Sequence, residues 1–365
     1  MAFTLLFVCL SFLPIISSYL LSYGGAVDNV LPPPLLGNTE FDIPALYVFG
    51  DSYVDAGNNN FIPTKSRANY FPYGIDFGGA PTGRATNGRT VVDFIAHVTG
   101  LPFPPPMLGM SKAGRKKTLT GVNYGSAGSG ILHSPPIAEQ LFGHVLSFEE
   151  QVSLFKNTIM DLKDQFDCAE SFGFYLSKSL FFIHIGSNDL GLFWDLGRQS
   201  IGVEKYPKLL SEELSKQLQA LYQLGARKFF VNNVSPLGCL PFNINKVKPK
   251  TPCFEELNRR ISTYNLLLPG LLADLESSLP ESKFILGDLF KLFEDVYASP
   301  RTYGFRNIKD SCCIDVNRNG TGPCAPNLEP CLDRETHVFF DPFHISERMH
   351  FIWARTSLKS WASKM

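Results

Sequence analysis

Ala45-Leu46-Tyr47-Val48-Phe49-Gly50-Asp51-Ser52 is the stretch that decides the fold of this chain. Five consecutive apolar residues predict a short strand that is buried on both faces, as in a parallel sheet. The apolar run stops at Gly50, and Ser52 follows two residues later. Because ligands of open α/β sheets bind beyond the carboxyl ends of the strands, Ser52 is a candidate nucleophile. The alternative is that Asp51 or Ser52 only caps a following helix, and this stretch alone favours the cap.

Four further apolar stretches predict strands, and they alternate with helical patterns along the chain. Helices are expected over 90–99, about 147–167, 206–224 and about 254–279, with a kink or break in the last at Pro269-Gly270. A final amphipathic helix is expected from near His344. This alternation predicts a three-layer α/β/α sandwich around a five-stranded parallel sheet. The predicted strands are 45–49, 122–124, 179–185, 228–231 and 283–288.

The first residues indicate the compartment. Residues 1–26 begin with an almost wholly apolar run and end in small residues near Ala26, which predicts a secretory signal peptide. The run has no early Lys or Arg, so an uncleaved anchor helix is the alternative. The Pro-rich segment 27–43, a predicted linker or arm, favours cleavage. We therefore expect residues 44–365 to be one secreted domain with no integral membrane segment.

The charge of the chain is nearly balanced, with 33 Lys and Arg, 34 Asp and Glu, and a formal net charge of -1. This balance gives no basic surface for nucleic acid, so no nucleic-acid partner is expected. The 31 phenylalanines and the 44% hydrophobic content predict an ample core with room for an apolar pocket.

Seven cysteines follow the predicted signal, and four of them lie close together in the segment 310–335. In an oxidising compartment such a cluster predicts a loop held by disulfides. A zinc site is the alternative, but the cluster lacks Cys-x-x-Cys spacing. An odd number leaves one thiol over, and Cys168, which has no partner near it in sequence, is the best candidate. The clustered residues are Cys312, Cys313, Cys324 and Cys331.

Two Asn-x-Ser/Thr sequons offer glycosylation sites, at Asn233 and Asn319. Asn319 lies in the Gly/Pro-rich cysteine loop and is the better candidate. Asn233 is expected at a strand end and comes just before Ser235-Pro236.

Three of the predicted strands end in small or polar residues. Ser52 follows the first strand, the glycine run 125–130 follows the second, and Gly186-Ser187-Asn188-Asp189 follows the third. Since parallel strands end on the same edge, a serine, a glycine N–H and an asparagine amide are expected to converge. Acyl transfer needs such a set, because N–H donors stabilise the oxyanion that develops. The glycine run could instead be a tight turn, and Asn188 an ordinary turn residue.

His344 is the candidate base among seven histidines, because Asp341 precedes it by three residues at a loop-to-helix junction. The carboxylate can then orient one imidazole nitrogen while the other faces outward. The spacing alone is weak, and its position after the last strand strengthens it. No Gly-x-Ser-x-Gly motif surrounds Ser52, which disfavours an ordinary α/β-hydrolase.

Together these blocks resemble the plant-type GDSL (SGNH) esterase/lipase family from about Pro44 to about Thr356. Single blocks are weak, but their order and spacing are specific. Tyr53 stands where the family has Leu, Phe340 where Trp is common, and His344-Ile345-Ser346-Glu347 where His-Pro-Thr-Glu is usual. The matching blocks are Phe49–Ser52, Asp55–Asn60, Pro81–Thr90, Gly121–Gly128, Gly186–Asp189, Leu224–Lys228, Pro236–Pro241, Tyr303–Phe305, Cys312-Cys313 and Asp341–His344.

The resemblance implies a flavodoxin-like SGNH fold and a set of site residues. Ser52 is the expected nucleophile, His344 the base and Asp341 its partner. Gly128, Asn188 and the Ser52 N–H are the expected oxyanion donors. It further implies an extracellular (cell wall or apoplast) esterase or lipase that hydrolyses acyl esters of lipids or small metabolites through an acyl-enzyme, without metal or cofactor. Two alternatives stay open: an acyltransferase with the same groups, and a non-catalytic binding protein on this scaffold.

Overall fold

A computed structural model of the protein describes residues 42–134, 139–140, 142–192, 202 and 204–364. The predicted signal peptide (1–26), and the predicted arm (27–43) apart from its last two residues, lie outside these ranges. Among the helices of the described ranges, none is long and apolar enough to cross a bilayer.

A parallel sheet runs through the centre of the protein, in the order β1 (Leu46–Gly50), β2 (Leu180–His184), β3 (Lys228–Asn232) and β4 (Lys283–Gly287). All residues of β1 and β2 are buried. Such burial on both faces is typical of a parallel sheet covered by helices. The predicted α/β class is therefore confirmed.

The predicted strand 122–124 is shorter than expected. It lies parallel to β1, where the Val48 N–H donates to Val122 O (3.0 Å) and the Tyr124 N–H donates to Val48 O (2.8 Å). A single bridge, Val48 to Asn123, joins the two. The predicted five strands are thus four regular strands and one bridged segment at the edge of β1.

The close approach of Gly121 to β1 limits the pairing of this segment. Gly121 has φ +105° and lies so close to β1 that a Cβ would come within 2.0 Å of Leu46 O, an approach that only glycine allows. On the outer side the Asn123 N–H donates to Pro105 O (2.9 Å). The Met107 N–H donates in turn to Asn123 O (2.9 Å), so the segment also forms an isolated bridge to Pro106 on the side away from β1.

Within the described ranges, helices alternate with the strands, as predicted. In chain order they are α1 (Val91–Val98), α2 (Lys112–Arg115), α3 (Phe148–Leu162), α4 (Ala169–Lys178), α5 (Ser187–Gly191), α6 (Tyr206–Gln223), α7 (Pro241–Val247), α8 (Glu255–Asn265), α9 (Leu268–Ser278), α10 (Leu289–Ala298) and α11 (Glu347–Lys364).

Neighbouring residues of β2 show how the layers are arranged. The Phe181 ring lies 5.4 Å from Phe155 of α3. The Phe182 ring lies 5.9 Å from Trp353 of α11. Because successive side chains of a strand point to opposite faces, α3 and α11 cover opposite sides of the sheet.

Some predicted helix limits are wrong. The predicted helix 254–279 is two helices, α8 and α9, and the break falls at residues 266–267 instead of at Pro269-Gly270. Pro269 occupies the first turn of α9, where a missing N–H costs no hydrogen bond. The last helix begins at Glu347, so His344 lies in the turn before it. Helix α4, which begins just after Cys168, was not predicted.

The predicted disulfide loop is confirmed. It connects β5 (Asn307–Ser311) to β6 (His337–Phe339), two short strands that pair in parallel. Cys168 stands outside the three disulfides, and its Sγ lies 3.6 Å from Ser171 Oγ. The disulfides are Cys239–Cys253, Cys312–Cys331 and Cys313–Cys324.

The two predicted glycosylation sites differ in exposure. Asn233 is buried, and its Nδ2, the atom that would carry a glycan, donates to Asp288 Oδ1 (2.7 Å). The fold therefore disfavours a glycan at Asn233. Asn319 is exposed, and it remains the candidate.

Removing a ring between the sheet and α11 tests the layer arrangement. Phe182→Ala is expected to lower the free energy of unfolding by about 3–5 kcal/mol, because the buried ring leaves a cavity. Urea denaturation followed by tryptophan fluorescence measures this loss. Phe174 is 65% exposed, so Phe174→Ala should change the free energy by less than about 0.5 kcal/mol. Equal losses in both variants would contradict the arrangement.

Candidate active site

Ser52 lies in the turn that follows β1. Gly50 makes the turn possible, because a Cβ there would come within 2.1 Å of His184 O on β2. The next helical element is a 3-10 turn, Asn58–Phe61, with Gly57 at its N-cap. Ser52 therefore caps no helix, and its half-buried side chain is left at the carboxyl edge of the sheet.

The turn after β6 brings His344 to Ser52. The Ser52 Oγ lies 2.9 Å from His344 Nε2, although the two residues are 292 positions apart in sequence. On the other side of the ring, His344 Nδ1 lies 2.8 Å from Asp341 Oδ2 and 3.0 Å from Oδ1. The three predicted residues thus form a continuous hydroxyl–imidazole–carboxylate chain.

Asp341 is fully buried and held by several donors. Its Oδ1 accepts the Phe343 and His344 N–H groups at 2.7 and 2.8 Å, and its Oδ2 accepts the Tyr73 O–H. Burial alone would raise the pKa of Asp341, but His344 and these hydrogen bonds hold the pKa below its ordinary value. The carboxylate stays ionised, and it can keep the proton of the imidazole on Nδ1.

Tyr73 was not identified from the sequence. Its ring packs edge-on against Phe340 at 5.6 Å. Both rings belong to a small core that includes the disulfide loop, and the Cys313 N–H donates to Phe340 O (2.7 Å). The disulfide loop therefore supports the segment that carries Asp341.

Tyr53, which stands where the family has Leu, packs between the nucleophile turn and the base. Its ring stacks on His184 at 5.3 Å and meets His344 edge-on at 6.1 Å. Its O–H donates to Phe343 O (3.3 Å). Burial raises the pKa of Tyr53, which keeps this donor protonated. The departure from the family pattern thus adds a contact to the turn that holds His344.

The predicted oxyanion donors lie on two loops that are bonded to each other. We call residues 125–132 the oxyanion loop. Gly128, with φ +88°, lies in a turn of this loop. The Asn188 Nδ2 donates to Ser129 O (2.8 Å), which places Asn188 beside that turn. Within the described ranges, neither the Ser52 N–H nor the Gly128 N–H donates a hydrogen bond to another residue.

Asparagine amides tie the oxyanion loop to the nucleophile turn. Asn58 Nδ2 donates to Asn123 O and Gly125 O at 2.9 and 2.8 Å. Asn59 Nδ2 donates to Ala127 O (2.8 Å). The sequence placed these asparagines in a family block but gave them no role. Their roles depend on carbonyl groups about 65 residues away, for which the sequence offered no signal.

An apolar cavity of about 40 Å³ opens beside Gly128. Val145 is buried in its wall, while Phe142 and Leu192 are partly exposed at 37% and 42%. Leu192 follows Asn188 by one helical turn, and its N–H donates to Asn188 O (2.9 Å). The cavity therefore borders Gly128 and, through Leu192, lies one helical turn from Asn188.

Metal binding has one candidate group within the described ranges, Cys331, Asp333 and His337. Cys331 is bonded to Cys312, so its sulfur offers no thiolate. The group does not fit a metal site in this oxidised form.

Comparison with known proteins agrees with the sequence blocks. Residues 46–356 match the GDSL-like Lipase/Acylhydrolase family. The chain is 41% identical over 328 residues to GDSL esterase/lipase 7 of Arabidopsis thaliana, covering 88% of this chain and 89% of the relative. Another GDSL esterase/lipase of the same plant is 38% identical over 330 residues (89% and 84%). A further one is 40% identical over 326 residues (87% and 87%).

The Tyr73 hydrogen bond gives a pH-dependent prediction. Tyr73→Phe is expected to lower the free energy of unfolding by about 1.5–3 kcal/mol near pH 7, because a buried carboxylate loses a donor. The pKa of Asp341 is depressed in the fold, so this loss should shrink as the pH falls below the ordinary value of 3.8 and Asp341 becomes protonated. Urea denaturation across this pH range measures both effects.

Tyr70→Phe is the matched control, since the Tyr70 O–H donates to a neutral acceptor, Cys324 O (2.8 Å). The free energy of unfolding of Tyr70→Phe should fall by about 0.5–1.5 kcal/mol, and this decrease should be nearly independent of pH. The same pH dependence in both variants would contradict the assignment of Tyr73 to the carboxylate.

Proposed function

The chain belongs to the GDSL-like lipase/acylhydrolase family and is a hydrolase of carboxylic esters, and we propose that it is a secreted serine esterase with Ser52 as nucleophile. The observation that carries the proposal is the 2.9 Å contact between Ser52 Oγ and His344 Nε2, with Asp341 bonded to the opposite ring nitrogen. This arrangement suits nucleophilic acyl transfer without further chemical groups.

Acylation is the first half of the proposed reaction. Ser52 Oγ attacks the ester carbonyl carbon while His344 Nε2 takes the hydroxyl proton. Asp341 stabilises the imidazolium, and the Ser52 N–H, the Gly128 N–H and the Asn188 amide donate to the oxyanion. The imidazolium then gives its proton to the departing alkoxide oxygen. The products are the free alcohol and an ester between the acyl group and Ser52.

Deacylation uses the same groups with water as the nucleophile. The water oxygen attacks the acyl carbonyl carbon while His344 Nε2 takes a proton from that water. The second oxyanion is held by the same donors. Its collapse breaks the bond to Ser52 Oγ, which receives the proton from His344. The carboxylic acid leaves, and the resting enzyme is restored.

Secretion is part of the proposal. It is supported by the apolar N-terminal sequence and by three disulfides, which persist in oxidising compartments. In this view residues 44–365 are the mature domain, and Asn319 carries a glycan on the exposed face of the disulfide loop. We place the protein outside the cell, in the wall or apoplast.

The proton transfers decide which way round the ester binds. His344 must face the leaving alcohol, so we place the acyl chain on the other side of the carbonyl, in the apolar cavity beside Gly128. The 40 Å³ cavity there has an apolar wall and takes a short acyl chain. We therefore propose esters of short acyl groups as preferred substrates, with longer chains leaving the cavity past Phe142 and Leu192.

Replacing the nucleophile tests the proposed function. Ser52→Ala is expected to lower kcat for p-nitrophenyl butyrate by at least about 10⁴-fold, because no oxygen remains to form the acyl-enzyme. A fluorophosphonate probe should label the wild type and leave Ser52→Ala unlabelled. Ser171→Ala, on α4, is the control and should react as the wild type does. Full ester hydrolysis by Ser52→Ala would refute the proposal.

Enlarging the cavity tests the proposed acyl side. Val145→Ala is expected to raise kcat/KM for p-nitrophenyl octanoate relative to the acetate by about 10-fold, because a methylene group in an apolar pocket changes discrimination by about this factor. Initial rates across acyl lengths measure the ratio. Val316→Ala, at a residue 76% exposed, should leave the ratio unchanged. An unchanged ratio in Val145→Ala would exclude this cavity as the acyl site.

A further inference from the structure

Two buried carboxylates contact the oxyanion loop and take no part in the proposed proton transfers. Asp55 follows Ser52 by three residues, and Asp189 follows Asn188 directly. Their exposed fractions are 0% and 1%. Neither forms a salt bridge with a described residue, so backbone N–H groups are their principal partners.

Asp55 joins the nucleophile turn to the start of the oxyanion loop. Its Oδ1 accepts the N–H groups of Gly57 (2.7 Å) and Asn58 (2.8 Å). Its Oδ2 accepts the N–H of Ala127 (3.0 Å), the residue just before Gly128. One carboxylate thus fixes both the turn that carries the nucleophile and the peptide next to the expected oxyanion donor.

Asp189 holds the other end of the same loop. Its Oδ2 accepts the Ile131 N–H (2.8 Å) and its Oδ1 accepts the Leu132 N–H (3.2 Å). Gly130 lies directly against this carboxylate, since a Cβ there would come within 2.8 Å of Oδ1. Asp189 and Asn188 therefore reach the loop from the same turn of α5.

We propose that Asp55 and Asp189 are positioning residues that hold the oxyanion loop at both ends, so that the Gly128 N–H stays directed at the reacting carbonyl; this inference rests on the proposed function. A carboxylate provides two acceptor oxygens, which each residue uses for N–H groups of separate peptides. An asparagine in the same place offers only one acceptor. The loop would then lose one of its fixed contacts.

The acid–base properties of these groups provide a second readout. Burial raises the pKa of Asp55 and of Asp189 to about 6, against the effect of their N–H bonds. Asp51 faces Asp189 and adds to this rise, and Arg84 faces Asp55. The buried tyrosines Tyr206 and Tyr264 also face Asp189.

The pH dependence of activity and the pH dependence of folding stability should have opposite signs for these two groups, which separates a positioning role from a purely stabilising one. Because the folded pKa is raised above 3.8, each group contributes stability that is present below that value and lost as the pH rises through about 6. Protonation below pH 6 therefore favours the fold while it removes acceptors from the loop. Through these two groups, activity and stability should change in opposite directions on acidification.

The test compares Asp55→Asn and Asp189→Asn with the wild type. In each variant kcat for p-nitrophenyl butyrate is expected to fall about 10- to 100-fold, with KM little changed, because a misplaced donor affects the transition state. The thermal unfolding midpoint should stay the same or rise, because a buried charge is removed. Below pH 6 the slope of log(kcat/KM) against pH should be one unit smaller than in the wild type.

Two further variants complete the design. Gly130→Ala pushes the Asp189 carboxylate away from its partners without removing its charge, and kcat should fall here as well. Asp161→Asn is the control: Asp161 is also buried, but it pairs with Arg115 (2.8 Å), so kcat and the acid slope should stay at wild-type values.

The outcomes distinguish this inference from the proposed function. If the Ser52→Ala variant still hydrolyses esters, the proposed function itself is wrong. The positioning roles are overturned if hydrolysis depends on Ser52 while Asp55→Asn, Asp189→Asn and Gly130→Ala keep kcat within about twofold of the wild type. They are also overturned if kcat falls only in proportion to the folded fraction that is lost.

Discussion

The contact between Ser52 Oγ and His344 Nε2 joins two turns that lie 292 residues apart, and much of the fold serves to fix its two sides. The nucleophile side is set by β1, which ends at Gly50 against β2. The base side is set by β6 and the turn after it, where Asp341 accepts three hydrogen bonds besides that of the imidazole. A bond of this length requires both turns to be positioned to within a fraction of an ångström.

Buried polar groups provide this precision. Asn58, Asn59, Asp55 and Asp189 are almost wholly removed from solvent, and each uses its oxygens or amide protons on backbone groups of another loop. A buried polar group without a partner is costly, so a satisfied set strongly favours one loop geometry. The oxyanion loop has no regular secondary structure, and these side chains take the place of strand pairing in holding it.

The base side is supported differently, by aromatic packing and disulfides. Tyr53 connects the turn of His344 to the sheet. Tyr73 connects Asp341 to the small core that includes the disulfide loop. The disulfides Cys312–Cys331 and Cys313–Cys324 close that loop near Phe340. The loop thus acts on the reacting groups through packing, without touching them.

The sequence by itself determined the α/β class, the positions of most strands and helices, and the identity of Ser52, Asp341 and His344 as a candidate set, because apolar runs and turn residues act locally. Only the tertiary structure decided which distant groups meet. It limited the pairing of segment 122–124 with β1 to a single bridge, it buried Asn233, and it set the contacts of Tyr73 and Asp189. These depend on how loops from separate parts of the chain pack together, and the local pattern of residues does not specify that packing.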